Sequence, residues 1–315
     1  LRLQTQIRLT NQTNSLIDYD SKLFLIGSCF VENIGSKLNY FKFQSVHNPI
    51  GIFFHPLAIE RFVQRIVDDI PYKSEDVFEM DGVWKSFEAH SQMNALNQED
   101  LLQNLNQSQQ NTHKTIKAAT HHVITLGTAW VYEHQASEKV VANCHKVPQR
   151  EFKKKLLSIE EIVSSLLKIT SLLRQLNPTV KIIFSVSPIR HIKDGFVENT
   201  RSKAHLLAAI HQIINDLDFF YFPAYEIMMD DLRDYRYYAE DLVHPNNMAI
   251  DYIWNLFQKV WFSESTEPIM KRVDKIQKGL QHKPFNPESE SYKAFLSQLE
   301  REKSELQKEI PSIHF

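Results

Sequence analysis

Cysteine is nearly absent. Cys29 and Cys144 are the only two in 315 residues, too few for a disulfide framework, so a reducing, cytoplasmic setting is the expectation. Glycine is scarce too. With only seven, each is expected at a turn that requires it. No run of about 18 apolar residues occurs, which excludes a transmembrane helix of the usual kind. The opening stretch, LRLQTQIRLTNQTN, is too polar for a signal peptide. Charge of one sign is also missing. The chain has 36 basic and 38 acidic side chains and a net charge of −2, which argues against a general nucleic-acid or membrane-surface binder. What the chain does have is length and apolar content. At 43% hydrophobic it can bury one large α/β core or two smaller ones.

Apolar runs and helical periods alternate. Strands are expected at Lys22–Ile26, His122–Leu126, Val180–Val186 and Phe219–Phe222. Helices are expected at Val31–Asn39, Pro56–Val67, Gln98–Ala119, Ile159–Leu176, Arg201–Leu217 and Asn247–Phe262. His47–Phe54 reads as a loop. Asp76–Phe87 reads as a hairpin turning at Asp81-Gly82, and Trp130–Tyr132 can pair with Val140–Ala142. The fold class implied is α/β: a three-layer α/β/α sandwich around a mainly parallel sheet. Residues 1–263 form the main domain. From about Glu264 the composition turns charged, and 264–315 reads as a helical extension ending in Glu288–Ile310, a packing or homodimer helix. Its apolar stripe is too short for a coiled coil of three or four heptads.

Chemistry concentrates at expected strand ends, where such sheets bind ligands. In LFLIGSCFVENIG the apolar run stops at Gly27, and Ser28 and Cys29 follow at the mouth of a helix. Backbone N–H groups and the helix dipole there favour a thiolate and an oxyanion. A bland alternative is a small buried thiol, since most free cysteines are inert core residues. In AEDLVHPNN, Asp241 stands three residues before His244. That spacing lets the carboxylate hold the imidazole in one tautomer and stabilise it when it takes a proton. The bland reading is a capping Asp and a surface His. Arg190 and His191 follow Val180–Val186, fitting a substrate carboxylate or phosphate contact, or equally a structural ion pair. Asn143, His145 and Lys146 are pocket candidates, and Trp84 is core or a platform for a sugar ring. Cys144-His145 with His121 and His122 match no zinc spacing, so neither a metal nor a cofactor is expected.

These stretches resemble a known group. GSCFVENIG is similar, without gaps, to the G-D-S-x-x-x-x-x-G opening of SGNH (GDSL-type) hydrolases, and DLVH to their closing D-x-x-H. Gly27-Ser28-Cys29-Phe30 more closely resembles the motif that names the GSCFA family. NPIG (48–51), LGTAWVY (126–132), NCHK (143–146), SPIRH (187–191) and FPAYEIMMDDLRDYRYYAEDLVHP (222–245) support the likeness, which spans roughly Leu23–Phe262. It implies an SGNH-like, flavodoxin-like sandwich and an ester-cleaving or acyl-transferring site for O-acyl groups, carbohydrate among their carriers. Cys29 stands at the nucleophile position and Ser28 at the aspartate before it, with Ser28 as the alternative nucleophile. His244 matches the general base and Asp241 its orienting acid. Gly51 matches the glycine whose N–H helps form the oxyanion hole. The third block departs: Gly127-Thr128-Ala129-Trp130 stands for G-x-N-D, so Ala129 replaces the oxyanion-hole asparagine, leaving Asn143 or Asn48 to substitute. A non-catalytic carbohydrate- or acyl-ligand-binding protein on the same fold is the alternative reading.

Overall fold

The structure, a computed structural model, describes residues 5–214 and 219–315. Its main sheet has five strands, β1 (Lys22–Gly27), β2 (Gln44–His47), β5 (His121–Leu126), β9 (Lys181–Val186) and β10 (Phe219–Tyr221), in the order β2-β1-β5-β9-β10. Every pairing in it is parallel. Period-two alternation divides the strand side chains between two cores. Phe24, Ile26, Ile124, Leu126, Ile182, Phe184 and Val186 face one layer, and Leu23, Leu25, Val123 and Ile183 face the other. The first layer is α2 (Pro56–Val67), α3 (Gln98–Ala118), α4 (Ile159–Leu176) and α5 (Phe196–Ile213). The second is α1 (Cys29–Tyr40), the short α6 (Ala224–Glu226), α7 (Asn247–Trp261) and α8 (Thr266–Gln281). The chain is therefore a three-layer α/β/α sandwich. It leaves β1 toward β2 and returns to β5 on the other side, so the mouth between β1 and β5 is the topological switch point.

Two smaller sheets decorate the frame. β3 (Phe78–Met80) and β4 (Val83–Lys85) form the Asp81-Gly82 hairpin, both turn residues having positive φ as such a turn requires. β6 (Trp130–His134) pairs with β7 (Lys139–Val141) and also with β8 (Phe152–Leu156).

Some elements differ from the sequence expectation. β2 lies where the loop leading into NPIG was expected to begin; four half-exposed residues, QSVH, on a sheet edge carry no apolar run. β8, FKKKL, hides behind three lysines. Helix α5 begins at Phe196, five residues before the expected Arg201, because Gly195 at φ +98° precedes its first turn. The expected end of that helix, at 215–217, lies outside the described residues.

The 264–315 stretch holds two helices where one was expected. In α8 only Met270, Val273 and Ile276 make the buried stripe, with Thr266 at its start. α9 (Glu290–Glu309) buries Leu299 and Leu306. Both contribute to the same core cluster as α1 and α7. Tyr40, the last residue of α1, donates its hydroxyl to Asp274 at 2.9 Å, and its carbonyl accepts from Gln277 at 2.9 Å. No helix among the described residues is long and apolar enough to cross a membrane.

Candidate functional site

Cys29 is the first residue of α1, placed at the switch point by Ser28, the helix cap. Ser28 is fully buried. Its N–H donates to Thr125 O, its carbonyl accepts from Val31 N, and its Oγ accepts from Phe30 N at 3.4 Å. Those commitments make Ser28 a structural cap, and the next side chain, Cys29, faces His244. Cys29 Sγ lies 3.8 Å from His244 Nε2. His244 Nδ1 lies 2.6 Å from Asp241 Oδ2, while Asp241 Oδ1 accepts from the N–H groups of Val243 and His244. Those backbone donors, and then the imidazole, hold the Asp241 carboxyl down at about 2. An ionised Asp241 can only accept, so Nδ1 carries the proton and the Nε2 lone pair faces the sulfur.

The loop that carries this pair hangs from the end of β9. Arg190 N donates to Val243 O at 3.3 Å and its guanidinium donates to Tyr238 Oη at 2.6 Å. The guanidinium also stacks on Tyr238, 4.1 Å from the ring centre. Arg190 thus fastens the Asp241–His244 loop.

The thiol departs from the expectation of an activated, low-pKa cysteine. N–H groups of Cys29 and Phe30 and the charge of Lys203 do favour the thiolate, but loss of water outweighs them and pushes Cys29 up to about 11. Cys144 is pushed up similarly by burial. The resting form is therefore S–H facing Nε2 of His244. The expected result is an iodoacetamide rate for Cys29 that climbs through pH 6–9 without a plateau, measured by mass spectrometry; an inflection below pH 8 would instead reveal a thiolate–imidazolium pair.

Several expected oxyanion donors are spent elsewhere. Gly51 N–H donates to Asn48 O at 2.8 Å. Asn48 Oδ1 accepts from Gly27 N–H at 2.9 Å and its amide nitrogen donates to Glu32. Asn143 Oδ1 accepts from His145 N–H, which orients the amide without using its own N–H groups. His145 is buried, its Nε2 within 2.7 Å of Ser86 O and 3.1 Å of Ala89 O, pinning that segment. Trp84 packs against the first core cluster, beside Ala95. Asn48, Gly51 and Trp84 are thus engaged by the fold, while His145 is both pinned and part of the cleft described below. His121 faces Ser15 O, and among the described residues no three His, Cys, Asp or Glu side chains gather to hold a metal.

One residue at the site was not a sequence candidate. Lys203 of α5 is fully buried, with Nζ donating to Gly127 O at 2.7 Å and Ser187 O at 2.8 Å, the carbonyls just beyond β5 and β9. The signal was available: stepping the α5 stripe Ile213, Ile210, Leu206 back by three and then four reaches Lys203 and Asn199, both buried. Burial lowers Lys203 from 10.5 to about 7. The unfolded chain then holds more protons than the folded one above pH 7, so this group makes stability rise with pH from there. Between pH 7 and 9 the rise is expected to be about 2 kcal/mol. Above pH 9 the raised Cys29 and Cys144 oppose it. Lys203→Met should flatten the rise in urea titrations at the two pH values; an unchanged slope would mean that Lys203 titrates normally.

A cleft of about 440 Å³ runs from His191 and Phe54 over Trp130, Tyr132, Asn143 and Cys144. A larger open groove, about 1560 Å³, lies between Thr5–Leu9 and the 230–237 stretch, and neither it nor the smaller cleft is lined by Cys29, Asp241 or His244.

A doubly wound parallel sheet with a Cys–His–Asp constellation at its switch point defines the class. The chain belongs to the GSCFA family, whose pattern matches residues 22–257, while residues 273–315 match the GSCFA domain protein, C-terminal domain. No curated protein matches the chain. Similar solved structures include an acetyl esterase mutant with an acetate ion (11% identity, 81% of this chain and 99% of that one, TM-score 0.37). Others are a carbohydrate esterase family 3 protein from Talaromyces cellulolyticus (12%, 81% and 99%, 0.37) and an acetyl xylan esterase from the rumen bacterium Butyrivibrio proteoclasticus (12%, 84% and 66%, 0.35).

Proposed function

We propose that this protein cleaves or transfers O-acyl groups through a thioester on Cys29. The observation that carries the reading is the relay Cys29 Sγ–His244 Nε2 at 3.8 Å and His244 Nδ1–Asp241 at 2.6 Å. With the thiol protonated at rest, His244 takes the S–H proton as sulfur attacks the acyl carbon, and the carbonyl electron pair moves onto oxygen. Asp241 stabilises the imidazolium. Collapse expels the alcohol oxygen, which takes the proton from His244. Water or a second acceptor, deprotonated by His244, then releases the acyl group and restores the thiol. The aromatic cleft beside His191 suits an acylated sugar, with Trp130 and Tyr132 offering ring surface and Asn143 a polar edge.

The test is a panel of p-nitrophenyl acetate, acyl thioesters and acetylated sugars. Turnover that disappears in Cys29→Ala supports the reading. Absence of turnover, together with sugar or acyl-ligand binding that Cys29→Ala leaves unchanged, would replace it with a binding protein.

A further inference from the structure

If Cys29 makes a tetrahedral intermediate, its oxygen needs donors, and the expected set is incomplete. Ala129 stands where the asparagine is missing and is itself fully buried. Gly51 and Asn48 are engaged elsewhere. One polar atom near Ser28 and Gly127 has the opposite problem. His191 Nε2 is shut off from solvent and meets no hydrogen-bond partner among the described residues. Leaving a buried ring nitrogen unpaired costs free energy unless something else uses it.

Its position is fixed by Gly127, the residue after β5. A Cβ on Gly127 would stand 3.0 Å from His191 Nε2, 3.1 Å from Phe54 O and 3.3 Å from Ser28 Cβ. With no side chain, Gly127 lets the orphaned nitrogen and Ser28 pack close to one backbone position, so His191 Nε2 lies near the residue preceding the nucleophile. The backbone N–H of His191 donates to Asn199 Oδ1 at 2.8 Å, and the imidazole packs edge-on against Phe54 with ring centres 5.6 Å apart.

We infer that the Nε2–H of His191 and the backbone N–H of Cys29 form the oxyanion hole, His191 replacing the asparagine absent at position 129. The inference rests on the proposed Cys29 nucleophile. A donor here must stay uncharged so that it neither repels the imidazolium of His244 nor quenches the oxyanion by full proton transfer. Burial, with the positive charges that Lys203 and His244 carry when protonated, keeps His191 neutral, its pKa pushed down to about 3. Lys203 also holds Gly127 by its carbonyl, which fixes that backbone position.

A small trifluoromethyl ketone tests this without needing the natural substrate. Cys29 sulfur adds to the carbonyl carbon, the carbonyl electron pair moves to oxygen, and the thiol proton passes to His244. ¹⁹F NMR reads the adduct. His191→Leu is expected to weaken the adduct by roughly 10²-fold, the scale of one lost oxyanion donor, and to lower kcat more than KM on any ester that turns over. His191→Gln, which keeps an N–H, should recover at least tenfold of that loss. Iodoacetamide alkylation of Cys29 makes no oxyanion and should stay within about twofold of the parent in both variants. An adduct equally tight in parent and His191→Leu overturns the inference while leaving the nucleophile intact. No adduct in a parent whose Cys29 still alkylates overturns the acyl-transfer reading, and this inference with it. Equal losses of adduct and alkylation in both variants would make His191 a structural residue and overturn its assignment.

Discussion

Replacing Cys29 or His244 with alanine is expected to lower ester turnover by roughly 10⁴–10⁶ in kcat, with the double variant no worse than either single one. The two side chains act on one proton, so removing either leaves the other without a task, and their losses do not add. Cys29→Ser is the more discriminating change. A serine hydroxyl at the same helix position still faces His244 Nε2, so some ester hydrolysis should remain. Ser28→Ala should leave kcat nearly unchanged and cost about 1 kcal/mol of stability, because Ser28 caps α1. Steady-state kinetics on p-nitrophenyl acetate and urea titrations read both. If Ser28→Ala abolishes turnover and Cys29→Ala does not, the nucleophile is Ser28.

Gly27→Ala is expected to destabilise the fold by more than about 4 kcal/mol, or to prevent folding. Gly27 has φ +141°, and a Cβ there would stand 2.0 Å from Thr125 O, the backbone of the neighbouring central strand. Neither partner can retreat. Ser28 N–H donates to that same Thr125 carbonyl, Phe53 N–H donates to Gly27 O, and Asn48 accepts from Gly27 N–H. An alanine variant within about 1 kcal/mol of the parent in urea unfolding would mean that β1 and β5 can part at their ends, contrary to the observed register.

The frame was legible because its signals are local. β1, β5 and β9 are apolar runs with turn residues after them, and parallel strands between helices leave few topologies. Cys29, Asp241 and His244 could be paired in advance because a strand-end nucleophile and a D-x-x-H turn each carry their chemistry in a few residues. The donors were not legible. Whether Asn48, Gly51 and His145 are free depends on bonds to Gly27, Asn48 O and Ser86, partners that sequence spacing does not announce. The thiol's upward shift was missed for a related reason: the helix terminus is visible in sequence, whereas the burial that outweighs it is not. Lys203 reads as a surface lysine in FVENTRSKAHLL unless the helix phase is carried back from Leu206.

Helix α1 is about 18 Å long, and its two ends answer to different parts of the chain. Its first residue is Cys29, and its last, Tyr40, is gripped by Asp274 and Gln277. The stretch matched as the C-terminal domain is therefore a brace on the helix that begins at Cys29. An early stop codon that removes α8 and α9 would loosen the far end of that helix. Such damage is expected to shift Cys29 relative to His244 without touching either residue.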